Sequence, residues 1–319
     1  VIRFLQRFDN LLLLLSPIVL ILGGIVELLV VKDMHALEAL PVFDQLVAEG
    51  HWLRSYWVNL SLSPLLAFAI FLALNRFIQT DGFLPRLSNL PLFLASMAYF
   101  LISSFQQHIL VWITLYVFIR FLRNCFQVIN GGVTTANAFN SGLLLGLMTI
   151  THPVLSMFGS LFLLAVVYQG LPKLRTLLAM LIGWITPFYF SGSVFYLLDI
   201  PIPEVLGAVE WKLFDISLAE PRQFVWIVLL ALILFVVFSE QSMLSSATLK
   251  VKRKWNILFL ALVVAVLSSL LVGSQLFAMF GLVPGALLLG QFFQAPLRPR
   301  VHDSVAVLLL LCIIGAQVL

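Results

Sequence analysis

LKVKRKWNILFLALVVAVLSSLLVG, Leu249 to Gly273, sets Lys250, Lys252, Arg253 and Lys254 directly against an uncharged apolar run that begins at Asn256. A hydrocarbon core about 30 Å thick needs roughly 20 helical residues per crossing, which this run supplies. Lys and Arg in short loops stay on the cytoplasmic side of a membrane, so the same stretch also orients the crossing.

Reading outward, the pattern recurs along the chain. Apolar blocks of crossing length run from Asn10 to Val31, Trp57 to Ile78, Ser88 to Ser104, His108 to Phe126, Asn137 to Ile150, Val154 to Gln169 and Arg175 to Leu198. Four more follow, from Phe224 to Ser239, Asn256 to Gly273, Gln275 to Gln294 and Ser304 to Leu319. The blocks are continuously apolar instead of alternating, which selects helices over a β-barrel. Composition agrees, with 62% hydrophobic and 10% charged residues and a mean hydropathy of +1.10. The expected fold is therefore all-α, a polytopic transmembrane bundle of about eleven helices with two external amphipathic loops.

With the N-terminus inside, Arg3, Arg7, Arg76, Arg86, Arg120, Arg123, Lys173, Arg175, the four cations of 250–254, Arg298 and Arg300 all fall on the cytoplasmic side. Lys32, Arg54, Lys212 and Arg222 are the cations left outside, and most of the Asp and Glu join them. This excess fixes an N-in, C-out topology. The turn Thr151, His152, Pro153 is the pivotal step. One broken helix across it would move every later loop, including 250–254, to the other side.

The chain divides at 198, into a seven-helix module with an external loop at 32–56 and a second part with an external loop at 199–222 and four helices. In the first loop Phe43, Leu46, Val47, Leu53 and Trp57 form a helical stripe, with Asp44, Glu49, His51 and Arg54 turned away from it, as expected for a helix lying in the interface. The second opens on Ile200, Pro201, Ile202, Pro203 and continues through Val205, Leu206, Val209 and Leu213 as a short amphipathic helix.

A net charge of +4 spread over short loops suits anionic lipid headgroups and excludes nucleic acid, for which no soluble domain presents the cations. Cys125 and Cys312 offer neither a disulfide framework nor metal spacing. His35, His51, His108 and His152 share the external side but are spread over the first loop and two other turns, without the spacing of a zinc site, so no metal site is expected. The first apolar block reads as a retained helix, being too long for a signal-peptide core. Gly142 and Gly146 form a small-x-x-x-small pattern suited to helix packing. Asn130, Gly131 and Gly132 read as a turn, and Pro187 and Pro284 as kinks or breaks. Glu27 lies near the outer end of the first block, where it serves a function, snorkels to the interface or pairs with Lys32 or Arg54.

LNRF (Leu74 to Phe77), FLPRLSNLPLFLASMAYFLISS (Phe83 to Ser104) and NSGLLLGL (Asn140 to Leu147) resemble an uncharacterised family of bacterial integral inner-membrane proteins. Seven helices with one long external loop after the first and another after the seventh resemble, in topology, the membrane module of class C, polyprenyl-phosphate-sugar glycosyltransferases. SGLLLGLMTITHP (Ser141 to Pro153) and LRTLLAMLIGWITPFYF (Leu174 to Phe190) are similar to helices of those enzymes, and PVFDQ (Pro41 to Gln45) to their acidic motif. Gln45 replaces the acidic residue usual after the aspartate, and Leu62, Ser63, Pro64 replace a His-Pro-Pro type signature. The resemblance implies Asp44 as the catalytic carboxylate, no cofactor, and a polyprenyl-phosphate-linked sugar as donor.

On that reading Arg222 is the preferred phosphate partner, with Arg54, Lys212, Glu49 and His51 completing substrate binding. Two other classes remain. A non-catalytic subunit of an envelope complex leaves Asp44 a solvated residue, and a transporter needs charges near the bilayer midplane, where this chain has almost none.

Overall fold

The computed structural model describes residues 9–30, 56–81, 88–99, 109–170, 173–197, 235–236, 247–272, 278–294 and 299–318. They form ten α-helices, α1 (Asp9–Val30), α2 (Tyr56–Asp81), α3 (Leu90–Tyr99), α4 (Ile109–Gly131), α5 (Thr135–Thr151), α6 (Gly159–Val167), α7 (Leu174–Leu197), α8 (Leu249–Val272), α9 (Ala278–Gln294) and α10 (Pro299–Val318). A 3-10 segment, Pro153–Phe158, precedes α6. No strand occurs among the described residues. Among the described residues, three helices are long and apolar enough to cross a membrane, over Ser61–Thr80, Ile109–Gly131 and Leu174–Leu197. The eighth apolar block, Phe224 to Ser239, lies outside the described residues apart from Phe235 and Val236.

Local chemistry sets the element ends. α4 runs through Asn130 and Gly131, which the sequence reading placed in a turn; the chain reverses only at Gly132, whose φ of 87° suits a residue without Cβ and whose N–H donates to Val128 O at 2.9 Å. The Thr134 hydroxyl then caps α5 by accepting from Asn137 N at 3.1 Å. Pro187 and Pro284 sit inside α7 and α9, which continue past them.

At the far end of α5, His152 N–H donates to Met148 O at 3.2 Å, and the Thr151 hydroxyl donates to the same carbonyl at 2.6 Å. His152 Nδ1 accepts from Val154 N at 3.3 Å, and Pro153, with its fixed φ, starts the 3-10 segment. The sixth apolar block is thus a composite, six residues of 3-10 helix followed by nine of α-helix. At ~2.0 and ~1.5 Å per residue these add to ~26 Å, the same as α5 with its 17 residues.

The two segments are antiparallel, because Gln169 Nε2, just past α6, donates to Ile129 O at 2.8 Å, beside the start of α5. α7 then runs parallel to α5 in backbone contact. A Cβ at Gly142 would lie 2.0 Å from Met180 O, one at Gly183 2.2 Å from Phe139 O, and one at Gly146 2.4 Å from Trp184 O. Such approach is open only to small residues, as the Gly142–Gly146 spacing predicted.

α4 is the hub, packed by α2, α5, α6, α8 and α9. Phe118 of α4, Phe158 of the 3-10 segment and Phe280 of α9 meet with ring centroids 4.7, 5.5 and 5.8 Å apart. Gly290 of α9 abuts Pro91 of α3, so helices from both sides of the predicted boundary at 198 share one core.

Candidate functional site

The fold sorts helix ends into two groups. Phe77 and Phe126 stack at 5.3 Å, bringing the C-terminal parts of α2 and α4 together. Asp9 joins the starts of α1 and α3 at this end, its carboxylate accepting from Asn89 N at 2.7 Å, Ser88 Oγ at 2.8 Å and Asn89 Nδ2 at 2.9 Å. Asn75 Nδ2 of α2 donates to Asn89 Oδ1 at 2.6 Å. Lys250 Nζ reaches Asn130 O at 3.2 Å, the Trp255 indole N–H donates to Gln291 Oε1, and His302 of α10 packs on Phe292 at 5.1 Å. Apart from Arg120, at the midpoint of α4, the described Lys and Arg therefore lie at or toward one end: Arg76 and Arg123 in the C-terminal halves of α2 and α4, Lys173 and Arg175 at the start of α7, the 250–254 cluster at the start of α8, and Arg300 at the start of α10.

On α8 these cations are held by aromatic rings and carbonyls. The Arg253 guanidinium lies over the Tyr168 ring at 5.5 Å, and the Tyr168 hydroxyl accepts from Asn256 Nδ2 at 2.8 Å, fixing the ring beneath it. Lys254, only 3% exposed, has its ammonium 5.5 Å from the centre of the Phe126 ring. Arg123 shares the Phe126 and Asn130 face of α4 at spacings of three and seven. The sequence reading took 250–254 as a topology signal and missed this aromatic support; the i, i+3 spacing of Lys250, Arg253 and Asn256 on one helix face was its legible trace.

The end of α1, the start of α2, the end of α7 and the His152 turn fall on the opposite side of the bundle. These flank residues 31–55 and 198–222. Asp44, Glu49, His51, Arg54, Lys212 and Arg222 all lie outside the described residues, as does the Glu27 side chain. His152 is the described member of the four external histidines; burial holds its pKa down at about 4, so it is neutral at pH 7, with Nδ1 engaged as a cap acceptor. Among the described residues no three His, Cys, Asp or Glu side chains converge to hold a metal.

Comparison with known protein families, curated proteins and solved structures finds no match to this chain.

Proposed function

We propose that the protein is a multi-pass membrane enzyme of the bacterial inner membrane, N-in and C-out with eleven crossings. It transfers a sugar from a polyprenyl-phosphate donor at the external face. The observation that supports this reading is a common side: the ends of α1 and α7 and the start of α2, which adjoin the two long acidic segments, fall on one side of the bundle, and the described cations other than Arg120 fall toward the other. Excess Lys and Arg favour the cytoplasmic side, which leaves both segments outside.

Asp44 then takes the proton of an acceptor hydroxyl as that oxygen forms the new bond to the anomeric carbon. The anomeric carbon–phosphate oxygen bond breaks, and its electron pair leaves with polyprenyl phosphate, giving inversion. Arg222, with Arg54 and Lys212, neutralises the leaving phosphate, while Glu49 and His51 position the sugar and acceptor. A polyprenyl phosphate carrying a photoreactive group, added to the reconstituted protein, is expected to crosslink within 32–56 or 199–222. Asp44→Asn should abolish transfer and keep the crosslink. Crosslinking no stronger than that of a polyprenyl alcohol refutes the reading.

One observation favours a second function, a non-catalytic subunit of an envelope assembly. α7 turns Leu178, Ile182, Ile185, Tyr189, Phe190 and Tyr196 outward, a face that suits lipid or another protein's helix. That reading requires full function in Asp44→Asn and a stoichiometric protein partner. A transporter fits less well, because the described centre is filled by Phe118, Phe158 and Phe280.

A further inference from the structure

We infer that the cation end holds a binding site for the phosphate headgroup of an anionic lipid, formed by α4, α6 and the first turn of α8. This is separate from the external sugar-transfer site and does not depend on it.

The start of a helix carries partial positive charge, and its first N–H groups lack intrahelical acceptors, so carboxylates are favoured there and cations are not. α8 breaks that preference. Its first six residues, Leu249 to Lys254, include four cations and its first turn has no acid. An external anion resolves the conflict by meeting the cations and the N–H groups together.

The side chains are arranged to receive one. Stacking on Tyr168 holds the Arg253 plane, and the Asn256 bond holds Tyr168, which presents the guanidinium edge in the fork geometry that matches phosphate oxygens. Lys250 is fixed beside it by Asn130 O, and Arg123 rises from the same face of α4. The Gln169–Ile129 bond ties the α6 and α4 sides of this shelf together.

The surroundings select a lipid over a soluble anion. Leu249, next to Lys250, is 61% exposed. A cation beside an outward leucine matches the level at which headgroups meet acyl chains.

The full chain in a non-ionic detergent, titrated with phosphatidylglycerol or phosphatidylcholine and read by native mass spectrometry, tests this. Saturable phosphatidylglycerol binding is expected, weakened roughly tenfold by Arg253→Gln and by Lys250→Gln, as for loss of one charge-assisted hydrogen bond. Lys173→Gln removes the same charge from the same end and should leave it unchanged. Displacement by millimolar inorganic phosphate would support the phosphate site and identify the free ion as its occupant; resistance to it would identify the lipid. Equal binding of the two lipids, or equal weakening by Lys173→Gln, overturns the inference. Should Arg253→Gln alter the size-exclusion profile, Arg253→Lys keeps the charge and loses the planar fork; undiminished binding by that variant also overturns it.

Discussion

Gly142→Ala adds one methyl group where the structure has least room for it. The new Cβ would sit 2.0 Å from Met180 O, 2.8 Å from Met180 C and 2.9 Å from Trp184 N, all backbone atoms, whereas ordinary van der Waals contact begins at 3.4 Å. No rotamer change relieves this, so α5 and α7 must separate by about 1.4 Å. A gap of 0.5–1 Å already forfeits a quarter to a half of each dispersion contact, and in lipid such contacts, not water exclusion, hold helices together. Overpacking costs about 1–3 kcal/mol, and an obstacle made of backbone puts this case near the upper figure. Alanine recovers about 1 kcal/mol of helix propensity. The net loss of about 2 kcal/mol corresponds to roughly 30-fold more frequent opening of α7.

Hydrogen exchange in detergent, followed over peptides spanning 174–197, reads that opening directly. Gly192→Ala is the control on α7 itself, because its Cβ would have no neighbour within 4 Å, and it should exchange no faster than the parent. Equal protection in Gly142→Ala and Gly192→Ala would refute the backbone contact between α5 and α7.

His152 predicts an acid limb of stability. Its folded pKa of about 4 lies below the ordinary 6.5, so the unfolded chain binds more protons between these values; stability is complete above pH 6.5 and falls as pH drops toward 4, by at most about 3 kcal/mol. His152→Asn keeps a cap acceptor without a titrating ring and should flatten a thermal-melt profile across that window. Asp9→Ala should cost about 2 kcal/mol in the same assay, because it strands donors of Ser88 and Asn89; Asp9→Asn should cost less, and an unchanged melting temperature would count against the network. Both native cysteines are buried, so single cysteines at Asp44, Lys212 and Lys173 can be labelled with little background. An impermeant maleimide should reach the first two in intact cells and the third only after permeabilisation; any other pattern removes the proposed external site.

Apolar block length and charge placement were legible because each is written locally. Every described helix falls on one of the predicted blocks, and the Gly142–Gly146 pattern named a close contact before its partner was known. The partner was not legible: Gly183 has no small residue four positions away on α7 except Ala179, its nearest glycine being Gly192, and only the parallel docking of the helices pairs it with Phe139. The composite sixth segment escaped for a similar reason, since apolar periodicity does not distinguish six residues of 3-10 helix from an α-helical turn. Tyr168 was missed because its role depends on Arg253 and Asn256, more than 80 positions away. The residues assigned to sugar transfer rest on motif resemblance and loop charge, and they fall outside the described residues.

The reversal at His152 ties fold to function more tightly than any charged residue does. Carried straight on as one helix, residues 135–169 would span ~50 Å, and Gln169 could not bond Ile129 O at 2.8 Å. Because the chain turns back there, α7 starts at the cation end, runs parallel to α5, and ends on the side of the bundle where α1 ends and α2 starts. A straight passage would send α7 the other way, so that it would end on the side of the cations. What brings the end of α7 to the same side as the end of α1 and the start of α2 is therefore a neutral histidine accepting from Val154 N and a proline that cannot extend α5. The sugar transfer we propose between the two external segments therefore requires that turn.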